Sequence, residues 1–122
     1  MFRLVSLNLN GIRSAATKGL IPWAEGLSAD CMGVQELKAQ MPDIQGKFEQ
    51  FAGLKGHFHC TKKKGYSGVA LYTRHEPSDV IVGLGPHDTT GEFDAEGRYV
   101  ELRFDKPGRK LSIISCYFPS GS

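Results

Sequence analysis

The stretch FRLVSLNLN, residues 2–10, decides the fold of this chain. Side chains alternate along a strand, so one face of this stretch is apolar and the other ends in the amides of Asn8 and Asn10. Gly11 follows directly. A buried amide without a hydrogen-bonding partner costs about 1–3 kcal/mol, so we expect polar ligands beyond this end of the strand. Our hypothesis is that these ligands are a metal ion and a phosphate.

A helix and a second strand follow the opening strand. Residues 19–27 have apolar side chains at helical spacing, including Trp23, which we expect in the core. Residues 30–34 form a short apolar run that ends just before Glu36. A strand–helix–strand unit makes its two strands parallel, and ligands of such sheets bind beyond the carboxyl ends. The Asn8 amide and the Glu36 carboxylate are therefore expected to converge.

The rest of the pattern predicts one more helix and a series of antiparallel strands. Ile44, Phe48 and Phe51 are spaced as on one face of a helix between Pro42 and Gly53, and we expect both phenylalanines in the core. The predicted fold class is α/β, with α+β character in the second half. The further strands are expected at residues 57–61, 68–72, 79–84, 99–104 and 110–117, with a basic hairpin turn at 62–65.

Composition and charge are those of an ordinary globular chain. Its 122 residues allow one domain at most, and 40% hydrophobic residues are too many for a disordered chain. No apolar stretch predicts a signal peptide or a membrane span. The net charge of +2 is compatible with a polyanionic partner. The cysteines at 31, 60 and 116 are widely spaced, so we expect them to be reduced and the protein to be cytoplasmic.

Three groups of residues are candidates for chemistry. Glu36 with an Asn8 oxygen suits Mg²⁺, whereas zinc would need His or Cys ligands; the alternative is that Glu36 caps the next segment and Asn8 bonds backbone. In EFDAEGR, residues 92–98, Arg98 is a candidate for phosphate binding, or belongs to a solvated turn. Tyr117 either projects its phenol into the cleft or packs in the sheet.

Five motifs together resemble a known family. They occur in its order over essentially the whole chain, and they resemble the exonuclease III branch of the endonuclease/exonuclease/phosphatase superfamily. The motifs are SLNLNGIR at 6–13, QELK at 35–38, GYSGVA at 65–70, EGR at 96–98 and YFPSG at 117–121.

The resemblance implies a DNA repair nuclease that depends on Mg²⁺ or Mn²⁺. Such an enzyme hydrolyses phosphodiesters of double-stranded DNA, cutting 5′ to abasic sites and trimming 3′ ends. Glu36 resembles the metal carboxylate, with Asn8 as a metal or metal-water ligand, and Tyr117 resembles the tyrosine at the scissile phosphate. The residues that resemble those lining the DNA and phosphate cleft are Asn10, Arg13, Lys38 and Arg98.

The family's later motifs, Gly-Asp-x-Asn, an Asp paired with Trp, and Ser-Asp-His, do not occur in this sequence. We therefore expect residues 1–122 to be the N-terminal portion of one domain, truncated at its C-terminus and inactive alone. In fold terms this is half of a four-layer α/β sandwich, with one mixed sheet and helices on its outer face. The inner sheet face would then be exposed and would promote self-association through residues such as Val69, Leu71, Ile113 and Cys116.

Two alternatives to this nuclease assignment stay open. The chain could be a non-catalytic half-domain that binds DNA, or it could belong to a phosphatase of the same superfamily. The basic turn and the sequence NGIR at residues 10–13 favour the nuclease.

Overall fold

A computed structural model of the chain describes residues 2–62 and 66–118 and contains two β-sheets. A short 3₁₀ turn at Gly85–His87 accompanies the regular elements. In chain order, the helices and strands are β1 (Leu4–Asn8), α1 (Ile12–Thr17), α2 (Leu20–Leu27), β2 (Cys31–Gln35), α3 (Met41–Ile44), β3 (Gln50–Phe51), β4 (Leu54–His59), β5 (Val69–Thr73), β6 (Asp79–Val82), α4 (Glu92–Ala95), β7 (Tyr99–Arg103) and β8 (Ser112–Cys116).

The larger sheet is mixed and has the strand order β1-β2-β5-β4-β3. β1 and β2 are parallel and in register from Leu4 opposite Cys31 to Asn8 opposite Gln35, as the strand–helix–strand pattern predicts. The other pairs are antiparallel, including the β4–β5 hairpin. Its predicted basic turn falls partly on residues 63–65, which lie outside the described residues. The prediction of a mixed α/β fold is confirmed.

The smaller sheet, β6-β7-β8, is antiparallel and covers the inner face of the larger one. Val69 and Leu71 are fully buried between the sheets, together with Ile113, while Cys116 is half-buried. The expectation that this face is exposed is therefore wrong. Self-association, which was expected from that exposure, stays a prediction. The last strands of the chain fold back over the face, and the Ser115 hydroxyl donates to the Val34 carbonyl oxygen at 3.1 Å.

The outer face of the larger sheet packs against α1, α2 and α3. Ile44, Phe48 and Phe51 are buried there, as predicted, but they do not share one helix. α3 ends at Ile44, and Gly46 adopts a left-handed conformation (φ 77°) that redirects the chain, so that Phe51 lies in β3. Tyr72 anchors this side of the core, because its hydroxyl donates to the Phe48 carbonyl oxygen at 2.6 Å.

The structure also contradicts the prediction that Trp23 lies in the core. Leu20 and Ala24 of the same helix are buried, but Trp23 is 47% exposed. In the described part of the chain, β1 is the edge strand of the larger sheet, so a helix beside β1 lies at the margin of the core. Trp23 instead lines a pocket of about 360 Å³ beside Leu7 and Asn8.

No helix within the described ranges is long and apolar enough to span a membrane.

Candidate functional site

Backbone hydrogen bonds join the carboxyl ends of β1 and β2. Beyond the Asn8–Gln35 pair, the Leu9 amide donates to the Gln35 carbonyl oxygen at 2.9 Å, and the Gly11 amide donates to that of Glu36 at 2.8 Å. The ladder thus extends past the strands themselves. As predicted, Glu36 follows directly on the strand paired with that of Asn8.

The loops at this edge are held in an unusual backbone conformation. Asn10, Glu36, Lys38 and Ser67 have φ values of 49°, 55°, 51° and 43°, in the left-handed region. This region costs about 1–2 kcal/mol for a residue with a Cβ atom, so the surroundings must enforce it. Part of that enforcement is visible, because the Lys38 amide donates to the Ser67 carbonyl oxygen at 2.7 Å. Such clustered strain is typical of ligand sites.

Tyr117 arrives at the same edge from the end of β8. Its amide donates to the Arg98 carbonyl oxygen at 3.0 Å, which fixes its backbone. The nearby Glu36 carboxylate raises the pKa of Tyr117, through hydrogen bonding and through its negative charge, while the positive charge of Arg98 lowers it. The phenol of Tyr117 therefore lies near Glu36, so the two residues assigned to catalysis by resemblance are on the same edge.

Arg98 lies beside Tyr117 and is only 20% exposed. Its guanidinium pairs with Glu96, and its Cζ lies 5.8 Å from the centroid of the Phe93 ring. Its buried Nε has no hydrogen-bonding partner in the described part of the chain. Asp94 has a different partner, because its carboxylate accepts a hydrogen bond from the backbone amide of Leu84 at 2.7 Å. Of the predicted loop acids, Glu96 is thus the one that pairs with the arginine.

Gly97 fixes the loop that carries Arg98. Its φ is 61°, and a Cβ atom at this position would lie 2.5 Å from backbone atoms of His59 and Cys60. The loop also bonds to the end of β4 through the Thr61 hydroxyl, which donates to the Ala95 carbonyl oxygen at 3.0 Å. The position of Arg98 is therefore determined by close backbone contact.

Three more candidate residues lie along the same edge and contact one another. The Lys38 Nζ donates to the Asn10 Oδ1 at 2.6 Å, and the Arg13 Nη2 donates to the Lys38 carbonyl oxygen at 3.0 Å. Arg13 is exposed and also lies 3.8 Å from an Asp43 oxygen. These side chains place two cations next to the Glu36 loop, where a phosphate chain can reach them.

The oxygen donors fit a hard divalent cation. The Asn8 Oδ1 accepts a hydrogen bond from the Asn10 amide at 3.0 Å, which is a backbone bond of the kind that the alternative gives to Asn8. An amide oxygen retains a second lone pair, however. Within residues 2–62 and 66–118, Glu36 forms no ion pair with Lys, Arg or His. One carboxylate with an amide oxygen suits Mg²⁺, which keeps several water ligands.

Sequence reasoning missed two aromatic residues near this site. Phe93 and Phe118 have ring centroids 5.6 Å apart, and Phe118 directly follows Tyr117. The only sequence signal is their position inside two of the quoted motif regions, because residues so far apart show no periodicity. The remainder of the YFPSG motif, residues 119–121, lies outside the described residues.

Comparison with known proteins agrees with this geometry. The Endonuclease/Exonuclease/phosphatase family matches residues 5–111. The chain belongs to this family. The Bacillus subtilis exodeoxyribonuclease is 30% identical over 119 residues, covering 97% of this chain and 43% of the relative. A Dictyostelium discoideum DNA-(apurinic or apyrimidinic site) endonuclease is 27% identical over 118 residues, covering 97% of this chain and 30% of the relative.

A solved structure shows the same fold. The catalytic domain of Xenopus laevis APE2 superposes with a TM-score of 0.78 at 26% identity, covering 98% of this chain and 46% of that one. The resemblance to the exonuclease III branch of the family is thereby confirmed. The chain spans less than half the length of these relatives.

Proposed function

We propose that this chain carries the metal and phosphate anchors of a DNA repair nuclease that depends on Mg²⁺ or Mn²⁺. Its substrate is double-stranded DNA with abasic sites or blocked 3′ ends. The observation that carries this proposal is the arrangement at the joined ends of β1 and β2, where Glu36 follows the strand paired with that of Asn8 and lies near enough to Tyr117 to raise the pKa of its phenol. We also propose a cytoplasmic location, in keeping with three free cysteines.

The roles of the anchors follow from their chemistry. Glu36 and Asn8 would hold the cation, which when bound polarises the phosphoryl oxygen and neutralises developing charge. The phenol of Tyr117 is neutral at physiological pH, as a tyrosine ordinarily is, so its hydroxyl can donate to a phosphate oxygen. The Arg98 guanidinium, with its unpartnered Nε, contributes positive charge beside that phosphate.

The exposed cations of the edge bind the flanking DNA. Arg13 and Lys38 contact phosphates without reading bases, which makes the affinity depend on salt. Asn10 orients the Lys38 ammonium through their 2.6 Å hydrogen bond. Activation of the attacking water requires a further group, since these residues act as ligands and donors. We therefore propose that hydrolysis belongs to a longer protein and that the 122-residue chain alone is inactive.

The test measures metal binding and incision separately. We expect Glu36→Gln to weaken Mn²⁺ binding, followed by electron paramagnetic resonance, about tenfold or more, equivalent to about 1.4 kcal/mol. The matched control is Glu25→Gln, an exposed carboxylate on α2, which should leave Mn²⁺ binding unchanged. Equal affinities of both variants and the parent chain would contradict the metal assignment.

Substrate choice is tested on the parent chain. We expect binding to an abasic duplex that weakens steeply with salt, and no robust incision with Mg²⁺. Incision that Glu36→Ala abolishes would contradict the inactivity of the chain alone. Tighter, metal-dependent binding of phosphoinositides than of abasic DNA would favour the phosphatase alternative. DNA binding that Glu36→Gln and added metal both leave unchanged would favour the non-catalytic half-domain.

A further inference from the structure

A large aromatic side chain stands exposed beside the candidate site. Phe118 is 69% exposed, the largest fraction among the bulky apolar residues that the structure describes. Water contact with a phenyl ring is unfavourable. The ring therefore gains from any flat apolar partner that covers it.

Phe118 is backed by two further planar groups. Its ring centroid lies 5.6 Å from that of Phe93, with 40° between the planes, and the Arg98 Cζ lies 5.8 Å from the Phe93 centroid. We call this set, Phe118, Phe93 and the Arg98 guanidinium, the aromatic platform. Because Gly97 fixes Arg98 by backbone contact, the platform has a firm base.

The position of the aromatic platform relates it to the phosphate anchors. Adjacent Cα atoms are about 3.8 Å apart, so Phe118 begins one residue from the tyrosine that lies near Glu36. Arg98 belongs to both groups, since its carbonyl oxygen accepts the Tyr117 amide at 3.0 Å. A nucleotide whose phosphate lies at Tyr117 can therefore bring its own or the neighbouring base to the platform.

Two of the three acids of this loop have partners within the protein. Glu96 is paired with Arg98, and the two oxygens of Asp94 accept hydrogen bonds from the backbone amides of Leu84 and Gly85 at 2.7 Å and 2.9 Å, while Glu92 is exposed. The platform itself offers a phenyl ring and a guanidinium group. Both stack on nucleobases, whatever the base identity.

We propose that the aromatic platform stacks an unpaired nucleobase next to the phosphate held at Tyr117. The ligand class is single-stranded DNA or a frayed 3′ end, in which a base is free to leave its own stack. This inference rests on the proposed function, because it deepens the same site by assigning a subsite for the base. Phe118 is the residue that contacts the base, and Phe93 positions the Phe118 ring.

The test compares two oligomers that differ only in their bases. One is a fluorescent oligothymidine, and the other has the same length and backbone with tetrahydrofuran in place of every base. Fluorescence anisotropy with the whole chain should show that Phe118→Ala weakens binding of oligothymidine about tenfold and that of the baseless oligomer less than about twofold. Phe118→Trp should retain the affinity for oligothymidine. The control is Phe2→Ala, another exposed phenylalanine, which should change neither affinity.

Several outcomes would overturn the platform. These are equal losses on both oligomers, no loss on either one, no measurable binding of oligothymidine by the parent chain, or a change of sedimentation on Phe118→Ala without an effect on DNA. Circular dichroism confirms that the variants are folded. Glu36→Gln separates the two proposals, since it should weaken metal binding and keep the preference for oligothymidine.

Discussion

The two ends of the β1–β2 pair each carry one carboxylate, and the two differ in their partners. At the amino end, Asp30 accepts the Arg3 amide at 2.7 Å and lies 2.8 Å from the His75 Nε2, and these contacts hold its pKa below the usual range. At the carboxyl end, Glu36 lies near the phenol of Tyr117 and raises its pKa. Asp30 has hydrogen-bonding partners inside the chain, whereas Glu36 has no ion-pair partner within the described ranges. This difference favours Glu36 over Asp30 as the carboxylate that would bind an added cation.

The largest expected effect is a difference in the free energy of unfolding between two glycine substitutions, one at each end. Gly97→Ala combines an unfavourable left-handed conformation with a contact of 2.5 Å to backbone, and we expect a loss of about 3–5 kcal/mol in the free energy of unfolding. Gly108→Ala, in the hairpin at the opposite end, has only the conformational cost (φ 74°, with open space around it), about 1–2 kcal/mol. Urea denaturation compares the two, and equal losses would mean that Gly97 is not a packing constraint.

The amino end should determine the acid sensitivity of the fold. Because the pKa of Asp30 is lowered in the folded state, its contribution to stability is present above the unfolded pKa of about 4 and is lost as the pH falls through the folded pKa. Asp30→Asn should therefore flatten the decline in stability at acidic pH, measured as the urea midpoint. Asp105 is exposed, and Asp105→Asn is the control, which should show the same decline in stability at acidic pH as the parent chain. If stability declines as steeply in Asp30→Asn as in the parent chain, the contacts of Asp30 contribute nothing to the free energy of unfolding.

The smallest expected effect tests the contact at the carboxyl end. Hydrogen bonding to Glu36 raises the pKa of Tyr117, since it favours the neutral phenol. Glu36→Gln should lower that pKa toward the ordinary value of about 10. NMR titration of ring-labelled tyrosine, with Tyr117→Phe for assignment, measures it. A pKa that stays in place would mean that the phenol and the carboxylate are apart in solution.

Local patterns predicted most of the five-stranded sheet. Period-two alternation located β1, and the strand–helix–strand rule gave its parallel pairing with β2 and hence the approach of Asn8 to Glu36. Each of these steps uses neighbouring residues only. The approach of Tyr117 to Glu36 was beyond such reasoning, because no local pattern relates residues so far apart. The family resemblance supplied only a role for each residue at the same phosphate site.

The second sheet was missed because strand patterns do not say which sheet a strand joins. One signal was present, since Val69-Ala70-Leu71-Tyr72 is an unbroken apolar run, and all of β5 is buried. Such a run is typical of a strand covered on both faces. The exposure of Trp23 was also unpredictable, because it depends on where the sheet ends.

The hydrogen bond from Ser115 to the Val34 carbonyl oxygen joins residues 81 positions apart, and this separation has a kinetic consequence. Contacts that close long loops form late, since the entropy of closure is lost before the contact is gained. β1 and β2 can pair early, but Tyr117 reaches Glu36 only after β8 has docked. In a chain whose β8 had not yet docked, the proposed cation ligand would be present without the proposed phosphate donor, so we expect the candidate site to be completed late in folding.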